Sequence, residues 1–351
     1  MSFKLLTIVG ARPQFIKAAA VSRVLKKFPN IEETIVHTGQ HFDANMSDIF
    51  FEELNIPIPK HNLGVGGGPQ GQMTGRMLEK LETTMIEEKP DAVLIYGDTN
   101  STLAGALAAA KLHIPIVHIE AGLRSFNKRM PEEINRIVAD SVSSLLLCPT
   151  NSAIDNLKNE GVNAKYLKVG DVMFDATIYA KEFGAKFANV FANQEIPKSG
   201  FTLCTLHRAE NTDDEKRFLE IIDYIIEKSK AQKIVWPVHP RIRNRIKEIV
   251  GTDNNVILID PVGYFDMHAL LAACTDVMTD SGGLQKEAYF HEKLCVTIRD
   301  ETEWVETINS GWNRLWTMPE FKSPRTKIPD YGDGNSAQKC VEEIISLIQT
   351  I

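Results

Sequence analysis

One glycine-rich string in the sequence is suited to holding a phosphate. It reads Asp280-Ser281-Gly282-Gly283, follows a short apolar run and leads at once into helix-forming residues. This order predicts a strand that feeds a helix, whose open N–H groups and positive dipole end favour a negative charge. Glu287 follows one turn after Gly283, where its carboxylate could accept two ribose hydroxyls. An ordinary N-cap at Ser281 is the alternative that this string leaves open.

A second group of polar residues follows the first apolar run of the chain. Arg12 and Lys17 come shortly after Gly10, close to a predicted helix start. Cations are unfavourable at a helix N-terminus, so they indicate an anionic ligand, with two solvated surface residues as the alternative. Gly10 stands where a nicotinamide-binding G-x-G-x-x-G motif would be expected, and that motif is missing. The sequence therefore predicts that no NAD binds here.

Three later strings bring acidic residues to predicted strand ends or helix starts. They contain Asp98, Glu120 and Glu132. Glu120 directly follows an apolar run, where a buried carboxylate without a partner would be costly. Helix capping by Asp98 and a favourable helix start at Glu132 are the structural alternatives. Several acids and arginines at neighbouring strand ends predict a site of proton transfer.

The second half of the chain adds a histidine and an aromatic pair. His207, followed by Arg208, stands at the end of a predicted strand, and we interpret it as functional rather than structural. Tyr264 and Phe265 lie in a predicted loop, where they could contact a nucleobase or pack beneath the loop. These residues extend the predicted site into the second half of the sequence.

Histidine and cysteine spacing gives no metal site. His37 and His41 are four residues apart, but Gly39 disfavours a helix between them and no third ligand is evident. The five cysteines are scattered, odd in number and without C-x-x-C spacing, which argues against a disulfide framework or a zinc site. We therefore predict no metal and a reducing cytoplasmic location.

Composition excludes several classes of partner. The 351 residues are 43% hydrophobic and carry a formal net charge of -7, without a long basic run. Nucleic acid and an anionic membrane surface are therefore disfavoured as partners. No uninterrupted apolar run approaches the length of a membrane span, and Arg12 interrupts the first apolar segment too early for a signal peptide.

Short apolar runs alternate with helical patterns along the chain, which predicts an α/β fold with two doubly wound parallel sheets. The predicted strands are Leu5–Val9, Glu33–His37, Ala92–Tyr96, Ile116–Ile119, Leu145–Pro149, Lys165–Val169, Phe201–Thr205, Ile234–Val238, Val256–Ile259, Asp276–Thr279 and Leu294–Thr297. We expect a Rossmann-like domain over 1–169, a second over 170–335 and a C-terminal helix over 336–351 that packs back toward the first. Ligands of such sheets bind beyond the carboxyl ends of the strands, so we expect a central cleft there.

As an ordered set, these strings closely resemble the non-hydrolysing UDP-N-acetylglucosamine 2-epimerases, which have the two-domain glycosyltransferase-B fold. The resemblance spans nearly the whole chain. The matching strings are Gly10–Ala19, Gly97–Thr102, His118–Ser125, Pro131–Arg136, His207–Asn211, Asp280–Ala288 and Tyr331–Gly334.

The resemblance implies interconversion of UDP-GlcNAc and UDP-ManNAc by elimination of UDP to 2-acetamidoglucal and re-addition, without NAD. It also implies a cytoplasmic homodimer that supplies precursors of cell-surface polysaccharide. The residues it assigns to UDP are Arg12, His207, Ser281, Gly282, Gly283 and Glu287, to which we add Tyr264 and Phe265. Those it assigns to catalysis are Asp98, Glu120 and Glu132, with Lys17, Arg136 and His207. Gln40 is assigned to a second, activating substrate site.

Two departures from the family pattern leave the sugar open. Thr302-Glu303-Trp304-Val305-Glu306 stands where many members read Thr-Glu-Arg-Pro-Glu, and the loop Gly64–Pro69 differs from the best-known bacterial forms. UDP-2,3-diacetamido-2,3-dideoxyglucuronate is therefore the alternative substrate. A UDP-sugar glycosyltransferase and a non-catalytic nucleotide-sugar-binding regulator are the alternatives from other classes.

Overall fold

The computed structural model describes residues 2–40, 54, 56–192, 195–250 and 255–349. Contacts divide the chain into unit 1, Met1–Ala176 with Pro329–Ile351, and unit 2, Thr177–Ile328. The first division lies further along than the expected 169/170, inside the helix Val172–Phe183. The early part of this helix belongs to unit 1 because the Asp175 carboxylate accepts hydrogen bonds from the backbone N–H groups of Ser336 and Ala337.

Unit 1 contains a parallel sheet of seven strands in the order β3-β2-β1-β4-β5-β6-β7. The strands are β1 Phe3–Val9, β2 Ile31–His37, β3 His61–Asn62, β4 Ala92–Tyr96, β5 Ile116–Ile119, β6 Leu145–Cys148 and β7 Lys165–Lys168. The helices of this part of the chain are α1 Arg12–Leu25, α2 Gln70–Glu88, α3 Asn100–Lys111, α4 Pro131–Val142, α5 Asn151–Asn159 and α6 Val172–Phe183.

Unit 2 contains a parallel sheet of six strands in the order β10-β9-β8-β11-β12-β13. The strands are β8 Thr202–Thr205, β9 Ile234–Pro237, β10 Val256–Ile259, β11 Asp276–Thr279, β12 Leu294–Thr297 and β13 Asn313–Leu315. Its helices are α7 Ala209–Thr212, α8 Glu215–Ser229, α9 Arg243–Val250, α10 Tyr264–Ala273, α11 Gly282–Phe290 and α12 Val305–Asn309, and α13 Ser336–Ile348 returns to unit 1.

Apolar patterning explains how helices cover these sheets. The strands β4, β5 and β6 are buried along their whole length, as expected for strands covered on both faces. Helix α3 is rich in alanine, and a Cβ on Gly105 would come within 2.6 Å of Ile8 Cδ1. The small residues therefore let α3 pack close to β1, which brings the start of α3 near the carboxyl end of the sheet.

Each sheet has one point at which the strand order reverses. This switch point lies between β1 and β4 in unit 1 and between β8 and β11 in unit 2. Ligands of doubly wound sheets bind beyond the carboxyl ends of the strands at such points. Most of the predicted site residues lie in the loops or helix starts that follow these four strands.

The predicted fold class is confirmed, because both sheets are parallel and doubly wound. The short strands β3 and β13 were not predicted, since two or three residues are too few to show a pattern. None of the described helices is long and apolar enough to cross a membrane.

Candidate active site

The loops after β1 and β4 are tied together by one buried glutamine. The side-chain oxygen of Gln14 accepts hydrogen bonds from the N–H groups of Gly10 and Ala11, at 2.8 and 3.1 Å. Its amide nitrogen donates to the Tyr96 carbonyl at 2.9 Å and to the Thr102 hydroxyl at 3.0 Å. Gln14 therefore fixes both sides of the unit 1 switch point, a role that the sequence did not reveal.

Lys17 and Glu120 form a buried ion pair at this switch point. Lys17 Nζ lies 2.7 Å from Glu120 Oε1. Gly97 has a φ of 59°, and a Cβ placed on it would meet Lys17 Nζ at 3.2 Å and Glu120 Oε1 at 3.5 Å. A glycine is therefore required at this position both for the backbone conformation and for the close approach of the ion pair. The partner that a buried Glu120 needed is Lys17.

Asp98 is held by two residues of helix α4. Arg136 on α4 makes an ion pair with the Asp98 carboxylate, and the Asn135 side chain donates to the Asp98 carbonyl at 2.9 Å. The N-cap of α3 is Thr99, whose side chain accepts from the Thr102 N–H. Asp98 is thus not the cap of α3, and its carboxylate, with 31% of the side chain exposed, pairs with Arg136 instead.

The adjacent Glu132 and Glu133 differ in their surroundings. Glu133 is buried and accepts hydrogen bonds from the N–H groups of Ser125 and Phe126, both at 2.9 Å. Its carboxylate also accepts from the Ser125 hydroxyl at 3.0 Å and from Arg136 Nη1 at 2.7 Å. Although burial opposes ionisation, these hydrogen bonds and the Arg136 charge lower the pKa of Glu133. Glu133 therefore holds the loop before α4, whereas the predicted catalytic Glu132 is half-buried on the first turn.

A buried network of polar and charged side chains contacts the backbone carbonyl of Gly97. His118 Nδ1 lies 2.8 Å from Asp140 Oδ1, and His118 Nε2 lies 2.7 Å from the Gly97 carbonyl. Asp140 also accepts from Arg124 at 2.7 Å and from the Gly122 N–H at 3.1 Å. Burial opposes ionisation of Asp140, but His118 and Arg124 together lower its pKa. No sequence pattern indicated this network, because its members lie on different elements.

Gln40 and Arg12 also lie on the switch-point side of unit 1. Gln40 accepts hydrogen bonds from the Ser101 N–H at 3.1 Å and from the Ser101 hydroxyl at 2.9 Å. This contact caps the start of α3, while the activating role predicted for Gln40 stays a prediction. Arg12 is half-buried and is the first residue of α1, directly after the loop that Gln14 fixes.

In unit 2, His207 is oriented by a carboxylate behind it. His207 Nδ1 lies 3.0 Å from Asp280 Oδ1, and 43% of the His207 side chain is exposed, against none of Asp280. Asp280 also accepts from the N–H groups of His207 and Arg208 and from the Asn211 amide. Burial opposes its ionisation, but the His207 charge and these hydrogen bonds lower the pKa of Asp280 to about 2. Asp280 thus fixes His207 through Nδ1 and leaves Nε2 for another partner.

The predicted phosphate-binding string forms the start of α11. Ser281 is the N-cap, and its hydroxyl accepts from the Leu284 N–H at 3.4 Å. A Cβ on Gly282 would come within 2.7 Å of Glu303 Oε1. A Cβ on Gly283 would meet, among the described residues, Ser281 Oγ alone, at 3.9 Å. A side chain at Gly282 would therefore press on Glu303, whereas the space beside Gly283 is open among the described residues.

The departure from the family pattern at Trp304 lies against the same helix. Trp304 is buried, and Lys286 Nζ lies 3.7 Å from the centroid of its ring. The segment is fixed by the Thr302 hydroxyl, which donates to Gln285 Oε1 at 2.8 Å. Glu287, one residue after Lys286, is also buried on α11. The segment that departs from the family pattern thus packs against the helix that carries the predicted ribose-binding carboxylate.

The aromatic pair Tyr264 and Phe265 is placed differently from the sequence prediction. The expected loop is the first turn of α10, and both side chains are buried. The Phe265 ring stacks on Phe187 at a centroid distance of 5.0 Å, and the Tyr264 ring meets His268 at 4.4 Å. The prediction of a loop was wrong because helix α10 begins directly after Gly263. Packing, the alternative left open, is what the structure shows, and contact with a base stays a prediction.

The histidines considered for a metal do not form a site in the described structure. His37 is buried at the end of β2, 3.4 Å from Asn62 Oδ1 and next to the Phe15 ring. His41 lies outside the described residues. Within the described ranges, no group of three or more His, Cys, Asp and Glu side chains could hold a metal ion. The expectation that the protein needs neither metal nor NAD stays a prediction.

Unit 1 has acids paired with cations at its switch point, and unit 2 has the start of α11 at its own. With the two doubly wound sheets, these features define an α/β enzyme of the glycosyltransferase-B fold type. The family model for UDP-N-acetylglucosamine 2-epimerase matches residues 23–345. The chain therefore belongs to the UDP-N-acetylglucosamine 2-epimerase family, and the predictions of family and of an isomerase are confirmed.

Relatives support this conclusion over the whole length. The UDP-2,3-diacetamido-2,3-dideoxy-D-glucuronate 2-epimerase of Pseudomonas aeruginosa is 52% identical, over 98% of this chain and 100% of the relative. The UDP-N-acetylglucosamine 2-epimerase of Methanocaldococcus jannaschii is 44% identical, over 89% of this chain and 88% of the relative. A crystal structure of the M. jannaschii UDP-GlcNAc 2-epimerase in complex with UDP-GlcNAc and UDP superposes with a TM-score of 0.89, at 39% identity, over 98% of this chain and 100% of that chain.

Proposed function

We propose that this protein epimerises C2 of a UDP-linked 2-acetamido sugar by eliminating UDP and adding it back. The observation that carries the proposal is the pair of carboxylate–cation contacts around Gly97. Glu120 pairs with Lys17 and Asp98 with Arg136, both at the switch point of unit 1. A site for moving a proton between a carbon and a carboxylate needs carboxylates that are held in place, and Lys17 and Arg136 hold these two.

The proposed reaction avoids a carbanion that nothing would stabilise. A carboxylate takes the proton from C2 while the bond between C1 and the diphosphate oxygen breaks. The electron pair of the C–H bond forms the C1–C2 double bond of a 2-acetamidoglucal, and the electron pair of the C1–O bond leaves with UDP. UDP then adds back to C1 while a proton is delivered to the other face of C2. No hydride acceptor and no metal is needed, so we propose neither as a cofactor.

Inversion at C2 requires a proton donor or acceptor on each face of the sugar. We assign this work to Asp98, Glu120 and Glu132, with Lys17 holding Glu120 in place and Arg136 holding Asp98. The assignment explains why more than one carboxylate stands near Gly97.

Unit 2 supplies the groups that a leaving diphosphate needs. The first N–H groups of α11, at Gly282 and Gly283, point to an anion site, and the exposed His207 can donate from Nε2. We add Arg12 of unit 1 as a further cation for the diphosphate and Glu287 as the acceptor of the ribose hydroxyls. These contacts become stronger as negative charge develops on the departing UDP, so they stabilise the transition state.

For the sugar, we propose UDP-2,3-diacetamido-2,3-dideoxyglucuronate ahead of UDP-GlcNAc. The relative named for that uronate is 52% identical, whereas those named for UDP-N-acetylglucosamine 2-epimerase or as a homologue of it reach 48%, 44% and 42%. The replacement of the family's usual arginine by Trp304 agrees with an altered sugar. We further propose, from the resemblance, a cytoplasmic homodimer that supplies polysaccharide precursors; light scattering of the purified protein tests the dimer.

Exchange at C2 tests the proposed reaction. The protein is incubated in deuterated water with each of the two UDP-sugars alone, and the products are followed by NMR. We expect the 2-epimer with deuterium at C2. A glycosyltransferase would give neither the 2-epimer nor deuterium at C2. A hydrolysing epimerase would release free sugar and UDP. A regulator would bind UDP without exchange at C2.

Competition between the two sugars tests the substrate. With both sugars present at equal concentration, the ratio of their initial rates gives the ratio of their kcat/KM values. We expect the diacetamido uronate to be preferred by about tenfold or more, since charged-group recognition commonly contributes this much. A preference for UDP-GlcNAc would overturn the choice of sugar while leaving the proposed reaction intact.

A further inference from the structure

Two buried histidines lie in line behind Glu287 in unit 2. His268 on α10 lies with Nδ1 at 2.8 Å from His291 Nε2 and with Nε2 at 3.7 Å from Glu287 Oε1. The three residues are only 3%, 9% and 6% exposed. This row of contacts, from His291 through His268 to Glu287, therefore ends at the carboxylate to which the ribose hydroxyls are assigned.

The contacts at both ends select the form of the His268 ring. Burial, followed by the nearby His268, Lys181 and Lys293, lowers the pKa of His291 to about 2. The neutral His291 can donate from Nε2 to Nδ1 of His268, which then carries its hydrogen on Nε2, facing Glu287. The opposite tautomer would turn a lone pair of Nε2 toward a carboxylate, which is unfavourable. The arrangement therefore directs an N–H group at Glu287.

We propose that His268 is a positioning residue for Glu287, holding its carboxylate in the orientation that accepts the two ribose hydroxyls. The proposal rests on the proposed function, because it takes the ribose as the partner of Glu287. A glutamate has three side-chain torsions. A fixed N–H group 3.7 Å behind its carboxylate, too far for a hydrogen bond but near enough for electrostatic attraction, favours one orientation before the ligand arrives. His268 acts only through Glu287 and is not itself assigned a contact with the ligand.

A matched pair of amide substitutions separates positioning from packing. His268→Gln places an amide nitrogen near the position of Nε2 and keeps the donor to Glu287. His268→Asn places its amide near the position of Nδ1, keeping the contact with His291 and losing the donor to Glu287. Both variants stay polar and of similar size, so a purely structural role would affect them alike.

The measurement is binding of UDP and of 2′-deoxy-UDP by calorimetry. For the unchanged protein we expect UDP to bind about tenfold more tightly, the usual value of a hydrogen bond to a charged group. Glu287→Gln should reduce this ratio to below about twofold. We expect His268→Asn to do the same and His268→Gln to keep most of the ratio. Lys293→Gln, which perturbs the neighbouring carbonyl contacts of Lys293 instead, should leave the ratio unchanged.

The outcomes distinguish the two levels of the proposal. Equal discrimination in His268→Asn and in the unchanged protein would overturn the role of His268. So would a loss of affinity for both nucleotides with the ratio intact, which indicates packing alone. If the unchanged protein binds UDP but does not discriminate, the ribose role of Glu287 falls and His268 has nothing to position. If it does not bind UDP at all, the proposed function itself fails.

Discussion

The two switch points occupy equivalent places in their sheets, but the carboxylates near them differ in their partners and in their burial. In unit 1, Glu120 and Asp98 each pair with a cation. In unit 2, the carboxylate of Asp280 is fully buried behind His207, and the polar groups in front are an exposed imidazole and the start of a helix. The same topology thus presents acids in one unit and anion-binding donors in the other.

This difference indicates which step of the proposed reaction the residues of each unit are suited to. Carboxylates held in place by cations can take up a proton from carbon, whereas a helix start and a histidine favour a group that gains negative charge. We therefore assign proton transfer to unit 1 and the departing diphosphate to unit 2. Substitutions in each unit test this division of roles.

The largest effect is expected from the acids of unit 1. Asp98→Asn and Glu120→Gln should each lower turnover by about 10²-fold or more, because a general base is lost, while the affinity for UDP changes by less than about threefold. Deuterium exchange at C2 and calorimetry with UDP measure the two quantities. Glu160→Gln removes the exposed partner of Arg124 and serves as a control with near-normal turnover. Unchanged exchange in both variants would remove Asp98 and Glu120 from the chemistry.

The adjacent Glu132 and Glu133 should separate catalysis from support. Glu132→Gln should lower turnover by about 10²-fold with an unchanged free energy of unfolding. Glu133→Gln should lower the free energy of unfolding by about 1–3 kcal/mol, because Arg136 and two loop N–H groups lose a charged acceptor. Urea unfolding and the exchange assay measure both. The reverse pattern would exchange the roles that we give to these neighbours.

Asp280 should stabilise unit 2 in a pH-dependent way. Its pKa of about 2 lies below the ordinary carboxyl value, so its contribution is complete above about pH 4 and is lost as the pH falls toward 2. A shift of this size corresponds to roughly 2 kcal/mol. Asp280→Asn should therefore be clearly destabilised in urea at pH 7 and less so at pH 3. A difference that does not change with pH would show that the shape of Asp280, and not its charge, matters.

The smallest effect is expected at the second glycine of α11. Gly283→Ala should weaken UDP binding by about tenfold because a methyl group enters the proposed phosphate space, while stability stays equal or rises slightly. Gly282→Ala is the matched comparison, since its methyl group would press on Glu303 and disturb the protein itself. Calorimetry and thermal unfolding measure the two effects. Normal UDP binding by Gly283→Ala would mean that the backbone there does not approach a phosphate.

Local patterns were sufficient for the parts of the site that lie in one string. Ser281, Gly282 and Gly283 were placed at a helix start because a strand ends and a helix begins within a few residues. Glu120 was singled out because a carboxylate after a buried strand needs a partner, and the structure supplies Lys17. Patterns failed for Tyr264 and Phe265, since the same residues suit a loop or the first turn of a buried helix.

The α/β class, the order of the motifs and the family could be predicted from the sequence alone, because apolar runs and short strings are properties of neighbouring residues. The folded structure was needed to show that Glu133 supports a loop, that Asp280 orients His207 and that His268 lies behind Glu287. These contacts join residues on different elements. Their partners are chosen by which strand ends and helices the folded sheet brings together, and no spacing along the chain records that choice.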